Sequence, residues 1–190
     1  MNFRIVALVS ALCASVPVVL SAQTLTVSNT IASGASIAQY ISGSSGLDGP
    51  KMSPEINATS FDWWYFDAVA EDASMGLVVV FYLSTDLGFP FVLPLSALSV
   101  DIFATFEDGT LVFLPENDLP LQAGAATITT DGDGASGVWK GTGFEFSGTP
   151  DLSSYTVTID SPLLGITGTL ELKSVRIEFG YVCWFEPNFG

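Results

Sequence analysis

Tyr65, Tyr82 and Asp67 are the residues whose types and surroundings could do chemistry, because each stands within or beside an aromatic, apolar stretch. The chain contains no histidine, so on its own it can form neither a Ser-His-Asp nor a Cys-His arrangement, nor a histidine-based zinc or iron site. The run Asp131-Gly132-Asp133-Gly134 opens like a calcium loop but lacks later carboxylates at ligand spacing, and Asp-Gly pairs are ordinary hairpin turns. No metal site is assigned. No glycine-rich phosphate loop stands between a strand and a helix. What remains is a sheet with buried rings and a few hydroxyls and carboxylates, which suits an apolar small molecule. Such a pocket needs no nucleophile to act on a polyene. It can fold the molecule into a reactive conformer and place one or two hydrogen bonds on a polarised carbonyl. For Asp67 there is also a plainer structural role, since a carboxylate ending a strand is commonly solvated or accepts turn N–H groups.

The element that must position these groups is Phe61-Asp62-Trp63-Trp64-Tyr65-Phe66-Asp67. Read as a strand of period two, it puts Phe61, Trp63, Tyr65 and Asp67 on one face and Asp62, Trp64 and Phe66 on the other. Both faces are aromatic, which predicts a strand between two apolar layers: the core on one side, and a second core or a ring-lined pocket on the other. Leu77 to Leu83 is apolar throughout and is predicted to be buried on both faces. Strand, turn, strand then repeats. Leu98 to Phe106 and Thr110 to Leu114 flank Glu107-Asp108-Gly109, and Ala126 to Thr130 and Gly137 to Lys140 flank the Asp-Gly run. Thr142 to Ser147, Ser154 to Asp160, Ile166 to Leu172 and Arg176 to Phe185 follow, about nine strands in all with no helical period after the first residues. The fold class is all-β, an antiparallel sandwich or barrel.

At 190 residues the chain has room for one domain with a sizeable core. Arg4, the apolar run Ile5 to Leu20 and the small residues Ser21-Ala22 read as a secretory signal over residues 1–22. Residues 23–53, rich in Ser, Gly and Thr, read as an extended arm with a short strand near Thr24 to Val27, and 54–190 as the β-domain. The signal implies a secreted or secretory-lumen protein, where Asn57-Ala58-Thr59 matches the N-glycosylation acceptor pattern at Asn57. The net charge of −15, from 20 acidic against 5 basic residues, leaves no basic stripe for phosphates, so neither nucleic acid nor an anionic membrane is an expected partner. With Cys13 in the signal, Cys183 is left alone, and the aromatic end from Tyr181 to Gly190 is expected to pack against whatever follows it or against a partner.

Asn57 to Asp67, with its Trp-x-Tyr-Phe-Asp core, resembles the fungal Diels-Alderase family, which shares a lipocalin-like fold with the carotenoid hydratases called hydroxyneurosporene synthases. Tyr82 in the next strand and the Glu107-Asp108-Gly109-Thr110 hairpin are further points of likeness. The resemblance covers the first half of such proteins. It implies an N-terminal β-sandwich, a C-terminal β-barrel after the last residue here, and a substrate pocket between the two. The activity it implies is a cofactor-free, non-redox [4+2] cyclisation in secondary metabolism. By position, Trp63, Tyr65 and Tyr82 face the substrate, with Tyr65 and Tyr82 as the catalytic hydroxyls and Asp67 and Phe103 beside them. Some decalin-forming relatives have asparagine where this chain has Phe103, a departure that argues against a tetramic-acid polyene as substrate. The secretory signal makes the chain more similar to the secreted members that join a tropolone quinone methide to a sesquiterpene by hetero-Diels-Alder addition.

Two other readings compete with a pericyclase. A hydratase of isoprenoid double bonds would need a proton donor, with Asp67 the available carboxylic acid. A lipocalin-like binding protein for an apolar metabolite would show saturable quenching of Trp63 and Trp64 without turnover.

Overall fold

The computed structural model describes residues 21–41, 46–53, 55–89, 96–114, 121–162, 164–177 and 180–188, with 114, 175–177 and 180–188 described by backbone alone. Fourteen strands and no helix are found among them. In chain order these are β1 (Gln23–Ser28), β2 (Ile37–Ala38), β3 (Met52–Ser53), β4 (Phe61–Val69), β5 (Gly76–Ser84), β6 (Leu98–Thr105) and β7 (Leu111–Leu114). There follow β8 (Leu121–Gln122), β9 (Ala125–Asp131), β10 (Gly134–Trp139), β11 (Phe144–Gly148), β12 (Ser154–Ser161), β13 (Ile166–Ile177) and β14 (Gly180–Asn188). All but two residues of the signal-like segment lie outside the described residues.

Two antiparallel sheets pack face to face. The larger has the order β1-β9-β10-β11-β12-β13-β14; the smaller runs β4-β5-β6-β7, with β8 also beside β6. The expected extended arm begins with its expected short strand, β1, an edge strand that pairs with Ala125 to Thr130 of β9. The expected break between Leu172 and Arg176 does not occur. Lys173 and Ser174 carry no turn chemistry, and β13 runs on to Ile177 because it has a partner on both sides, β12 and β14. Cys183 lies on β14, opposite Ser174; its side chain is outside the described ones, and so are its expected partner and that of the aromatic end.

The alternation in β4 decides which residues form the core. Trp64, Phe66 and Ala68 are buried, while Phe61, Trp63, Tyr65, Asp67 and Val69 are exposed. The Trp64 ring meets Trp139 at 5.8 Å and Phe146 at 5.6 Å; Phe81 meets both at 5.0 Å. Gly137 makes this stacking possible, since a Cβ there would come within 2.5 Å of the Phe146 ring. Each buried indole keeps its hydrogen bond: Trp139 donates to the Tyr82 carbonyl at 3.2 Å and Trp64 to the Asp48 carbonyl at 2.8 Å.

Residues 46–53 strap the open edge of the sandwich. The Tyr155 hydroxyl donates to the Asp48 carboxylate and accepts from the Ala135 N–H at 3.1 Å. The Lys51 N–H donates to Asp62 at 2.6 Å, and its ammonium donates to the carbonyls of Gly46 and Gly49. Burial pushes the Asp62 carboxyl above, and the Lys51 ammonium below, their ordinary values. The turns use local carboxylates, Asp72 accepting from the Ser74 N–H, Asp108 from Thr110 and Asp151 from Ser153. In the Asp108 turn, Gly109 takes φ 83°. The Asp131–Gly134 run is the turn joining β9 to β10, and its carbonyls at Gly132 and Asp133 accept from Gly46 and Asp48 of the strap.

Candidate active site

The inner face of the smaller sheet is core, and its outer face is open. Register fixes what stands beside what on that outer face. Trp63 pairs with Tyr82 and Tyr82 with Ser99; Tyr65 pairs with Val80 and Val80 with Asp101; Asp67, Val78, Phe103 and Phe113 form the next row. Directly opposed residues project to the same side, so these three rows form one surface. Phe89, from the turn after β5, closes over it, its ring 5.1 Å from both Phe61 and Trp63 and 5.5 Å from Tyr82. The result is a hollow of about 580 Å³. Its walls are Trp63, Tyr65, Tyr82, Phe89, Phe103 and Phe113, and its floor is Val78, Val80 and Asp101.

Four of the residues singled out from the sequence come together here: Trp63, Tyr65, Tyr82 and Phe103. Tyr65 is 49% exposed, and among the described residues its hydroxyl has no hydrogen-bond partner. Tyr82 is only 5% exposed. Burial, then the neighbouring charge of Asp101, pushes its phenol up to about 12, so it acts as an O–H donor at any ordinary pH. The Phe103 ring stacks 4.6 Å from Phe113. Asp67 shares the face but not the hollow; it borders a neighbouring groove with Val69, Phe103 and Phe113. Asn57 lies apart from the site. Its Oδ1 accepts from the Thr59 N–H at 2.9 Å and its Nδ2 donates to the Gly34 carbonyl at 3.2 Å.

Asp101 is the residue that sequence reasoning missed. The residue is 4% exposed, and burial alone raises its carboxyl to about 7, so that about half of it is neutral near pH 7. The signal was present in β6, where Leu98, Val100, Ile102 and Ala104 alternate with Ser99, Asp101 and Phe103. A charge in the middle of such an apolar strand must either find a partner or meet a ligand. A second cavity, of about 270 Å³, opens between the sheets and is lined by Ala68, Leu77, Ile102, Ala104, Phe106 and Ile166 among others. Among the described residues its lining has no ionisable group, which favours the outer hollow as the place for chemistry.

A profile described as Diels-Alderase-like matches residues 20–178. The chain belongs to the Diels-Alderase-like family. Among curated members, the quinolone epoxide rearrangement protein asqO of Emericella nidulans is 35% identical over 145 residues, 75% of this chain and 38% of asqO. The quinolone epoxide rearrangement protein penF of Penicillium thymicola is 39% identical over 152 residues, 74% of this chain and 39% of penF. The crystal structure of CghA superposes with a TM-score of 0.62 at 26% identity, over 81% of this chain and 39% of CghA. The chain therefore spans about two fifths of the length of the relatives it matches, and it shares the all-β architecture expected from the sequence with the aligned part of CghA.

Proposed function

We propose that the outer face of the smaller sheet is the substrate surface of a cofactor-free cyclase, which binds a conjugated small molecule and promotes its [4+2] cyclisation. The observation that carries this reading is the hollow itself: six rings around a floor of two valines and one carboxyl. Aromatic walls hold a flexible polyene folded with its reacting carbons close, and this removes much of the entropic part of the barrier. The Tyr82 and Tyr65 hydroxyls are the donors able to polarise a carbonyl conjugated to the reacting double bond. Family membership supports the reaction class. A tropolone quinone methide joined to a sesquiterpene is one hetero-Diels-Alder case of it, and its support is the secretory signal over residues 1–22, which also supports a secreted or lumenal location. The test is to incubate the purified protein with candidate diene and dienophile substrates. A stereochemically pure cyclic product, lost in a Trp63→Ala/Tyr82→Phe double variant, is the expected result. Racemic product at the uncatalysed rate sinks the reading.

A second reading has a specific observation behind it. Opening an epoxide calls for an acid at its oxygen, the hollow contains one carboxyl group among the described residues, Asp101, and the two curated relatives above are named for quinolone epoxide rearrangement. The two reactions share a surface and differ in the substrate presented to it, so assaying an epoxide beside the dienes separates them.

A further inference from the structure

The cavity between the sheets is shaped by a taper in side-chain size. Along β4 the inward residues run Trp64, Phe66, Ala68. On the facing sheet β13 presents buried Leu170 and then, on the same side, Gly168. Toward this end both sheets give up their large side chains, and the space of about 270 Å³ is what they leave. Leu77, Ile102 and Ile159 are buried at its inner end, whereas Thr105, Gly165 and Thr167 are exposed at its mouth. Packed cores leave few voids larger than a water molecule, so an apolar space of this size, open at one end, is built to be filled. The β5 and β6 backbones screen it from the outer hollow. Leu77 and Ile102 line the cavity, while the residues that follow them, Val78 and Phe103, line the hollow.

We propose that this cavity is a second binding site, for a neutral hydrocarbon of about ten carbons, and that its ligand is a molecule separate from the one on the outer face. The proposal stands independently of how the outer face is read. Size follows from volume. An apolar cavity of about 150 Å³ holds one benzene, so in proportion 270 Å³ holds about ten carbons. Chemistry follows from the lining. The inner wall of Ala68, Leu77, Ile102, Ala104 and Ile159 offers methyl and methylene groups and no side chain that could pair with a charge or a carbonyl. The rim is acidic. Met75 and Phe106, which line the cavity, also border a shallow depression with Glu107 and Asp108, and Asp160 stands opposite Thr167 at the mouth. A carboxylate entering here would meet like charges and then lose its water without gaining a partner. The site therefore selects an uncharged ligand over a fatty acid. A ring compound suits it better than a chain of equal size, because less conformational freedom is lost on binding.

The experiment is NMR of the full chain with labelled isoleucine, leucine and valine methyls, titrated with limonene and with perillic acid, the analogue in which a carboxylate replaces one methyl. The expected result is saturable shifts and intermolecular NOEs from limonene to the methyls of Leu77, Ile102 and Ile166, with none to Val78 and Val80 on the floor of the outer hollow. Perillic acid at neutral pH should bind about tenfold or more weaker, the effect of an unpaired charge brought to an apolar, acidic site. Ala104→Leu and Ile166→Phe each add carbons to the cavity, one from either sheet. Whichever keeps the wild-type fold, judged by its methyl spectrum, should bind limonene about tenfold or more weaker, because the space is already taken. The proposal is overturned if the NOEs fall on Val78 and Val80, if a folded filling variant binds limonene as well as wild type does, or if perillic acid binds as well as limonene. Should neither variant fold, the wild-type titration decides alone, and limonene without effect on the Leu77, Ile102 and Ile166 methyls overturns the proposal.

Discussion

Trp63 and Trp64 are consecutive residues that face opposite solvents. The Trp64 ring is sealed between Trp139 and Phe146 in the core, with its N–H on the Asp48 carbonyl. The Trp63 ring is 41% exposed and touches Tyr65, Tyr82 and Phe89. Trp64→Ala should therefore lower unfolding free energy by about 3 to 5 kcal/mol, the usual cost of a large aromatic deleted from a packed core. Trp63→Ala should cost under about 1 kcal/mol while weakening any ligand of the outer face. Urea unfolding of both variants checks the difference, and equal destabilisation would mean that the outer face is packed rather than open.

The raised carboxyl of Asp101 makes a prediction about stability and pH. Its proton is held more tightly in the folded protein, at about 7 against an ordinary 3.8. Its favourable contribution is thus complete below about pH 4 and is lost as pH rises through about 7. The shift corresponds to roughly 2 to 4 kcal/mol. Asp101→Asn should match wild type within about 1 kcal/mol at about pH 4 and exceed its stability by roughly 2 to 4 kcal/mol at about pH 8, because the variant never ionises. Denaturation of both proteins at the two pH values gives the double difference, and a variant no more stable at the higher pH would show that Asp101 is solvated.

The strand pattern was legible because one residue in two is apolar wherever a strand has one wet face. β4 shows this in Trp64 and Phe66 against Trp63 and Tyr65, and the split between core and pocket follows from period two alone. What pattern could not supply was register. Tyr65 and Asp101 are 36 positions apart in sequence, and only the pairing of each with Val80 puts them about 10 Å apart, two strand spacings, on one face. Asp67 looked the better carboxylate because it sits in the aromatic motif, yet motif proximity says nothing about the neighbouring strand. β1 was legible as a strand but not as part of the larger sheet, because its pairing with β9 spans about a hundred residues and leaves no local mark.

The strap over the sandwich edge gives a third prediction. Tyr155→Phe keeps the ring against Phe66, 5.5 Å away, and removes the hydroxyl that joins Asp48 to the Ala135 N–H. Stranding those two groups should cost about 1 to 3 kcal/mol. The loss should be local first, so hydrogen exchange should quicken in residues 46–53 before the core opens. Unchanged exchange in the strap would mean that the Lys51 bonds suffice.

Processing makes a fourth. The mature chain is expected to start near Gln23, the first residue of β1, and to carry glycan on Asn57 when secreted from a eukaryotic host. Intact mass before and after deglycosylation should differ. No difference would mean that the Asn57 amide, already donating to Gly34, is not offered to the transferase.

Tyr65 separates structure from chemistry most cleanly, because its ring packs while its hydroxyl has no hydrogen-bond partner among the described residues. Trp63 lies 5.9 Å from that ring, a contact that phenylalanine preserves. Tyr65→Phe should thus leave stability within about 0.5 kcal/mol of wild type, the range for substitutions that strand no buried group. On the proposed function the same change removes a donor whose hydrogen bond strengthens as charge builds on the substrate carbonyl, so turnover should fall about tenfold to a thousandfold. Tyr82→Phe should behave differently. That hydroxyl is buried beside Asp101, so its loss should move both the melting midpoint and the rate. Measuring midpoint and product rate on the same preparations gives a two-by-two outcome. A Tyr65→Phe protein that melts like wild type and turns over at the wild-type rate would take Tyr65 out of the site and leave Tyr82 as the donor. One that melts lower with unchanged turnover would mean that its hydroxyl bonds within the fold.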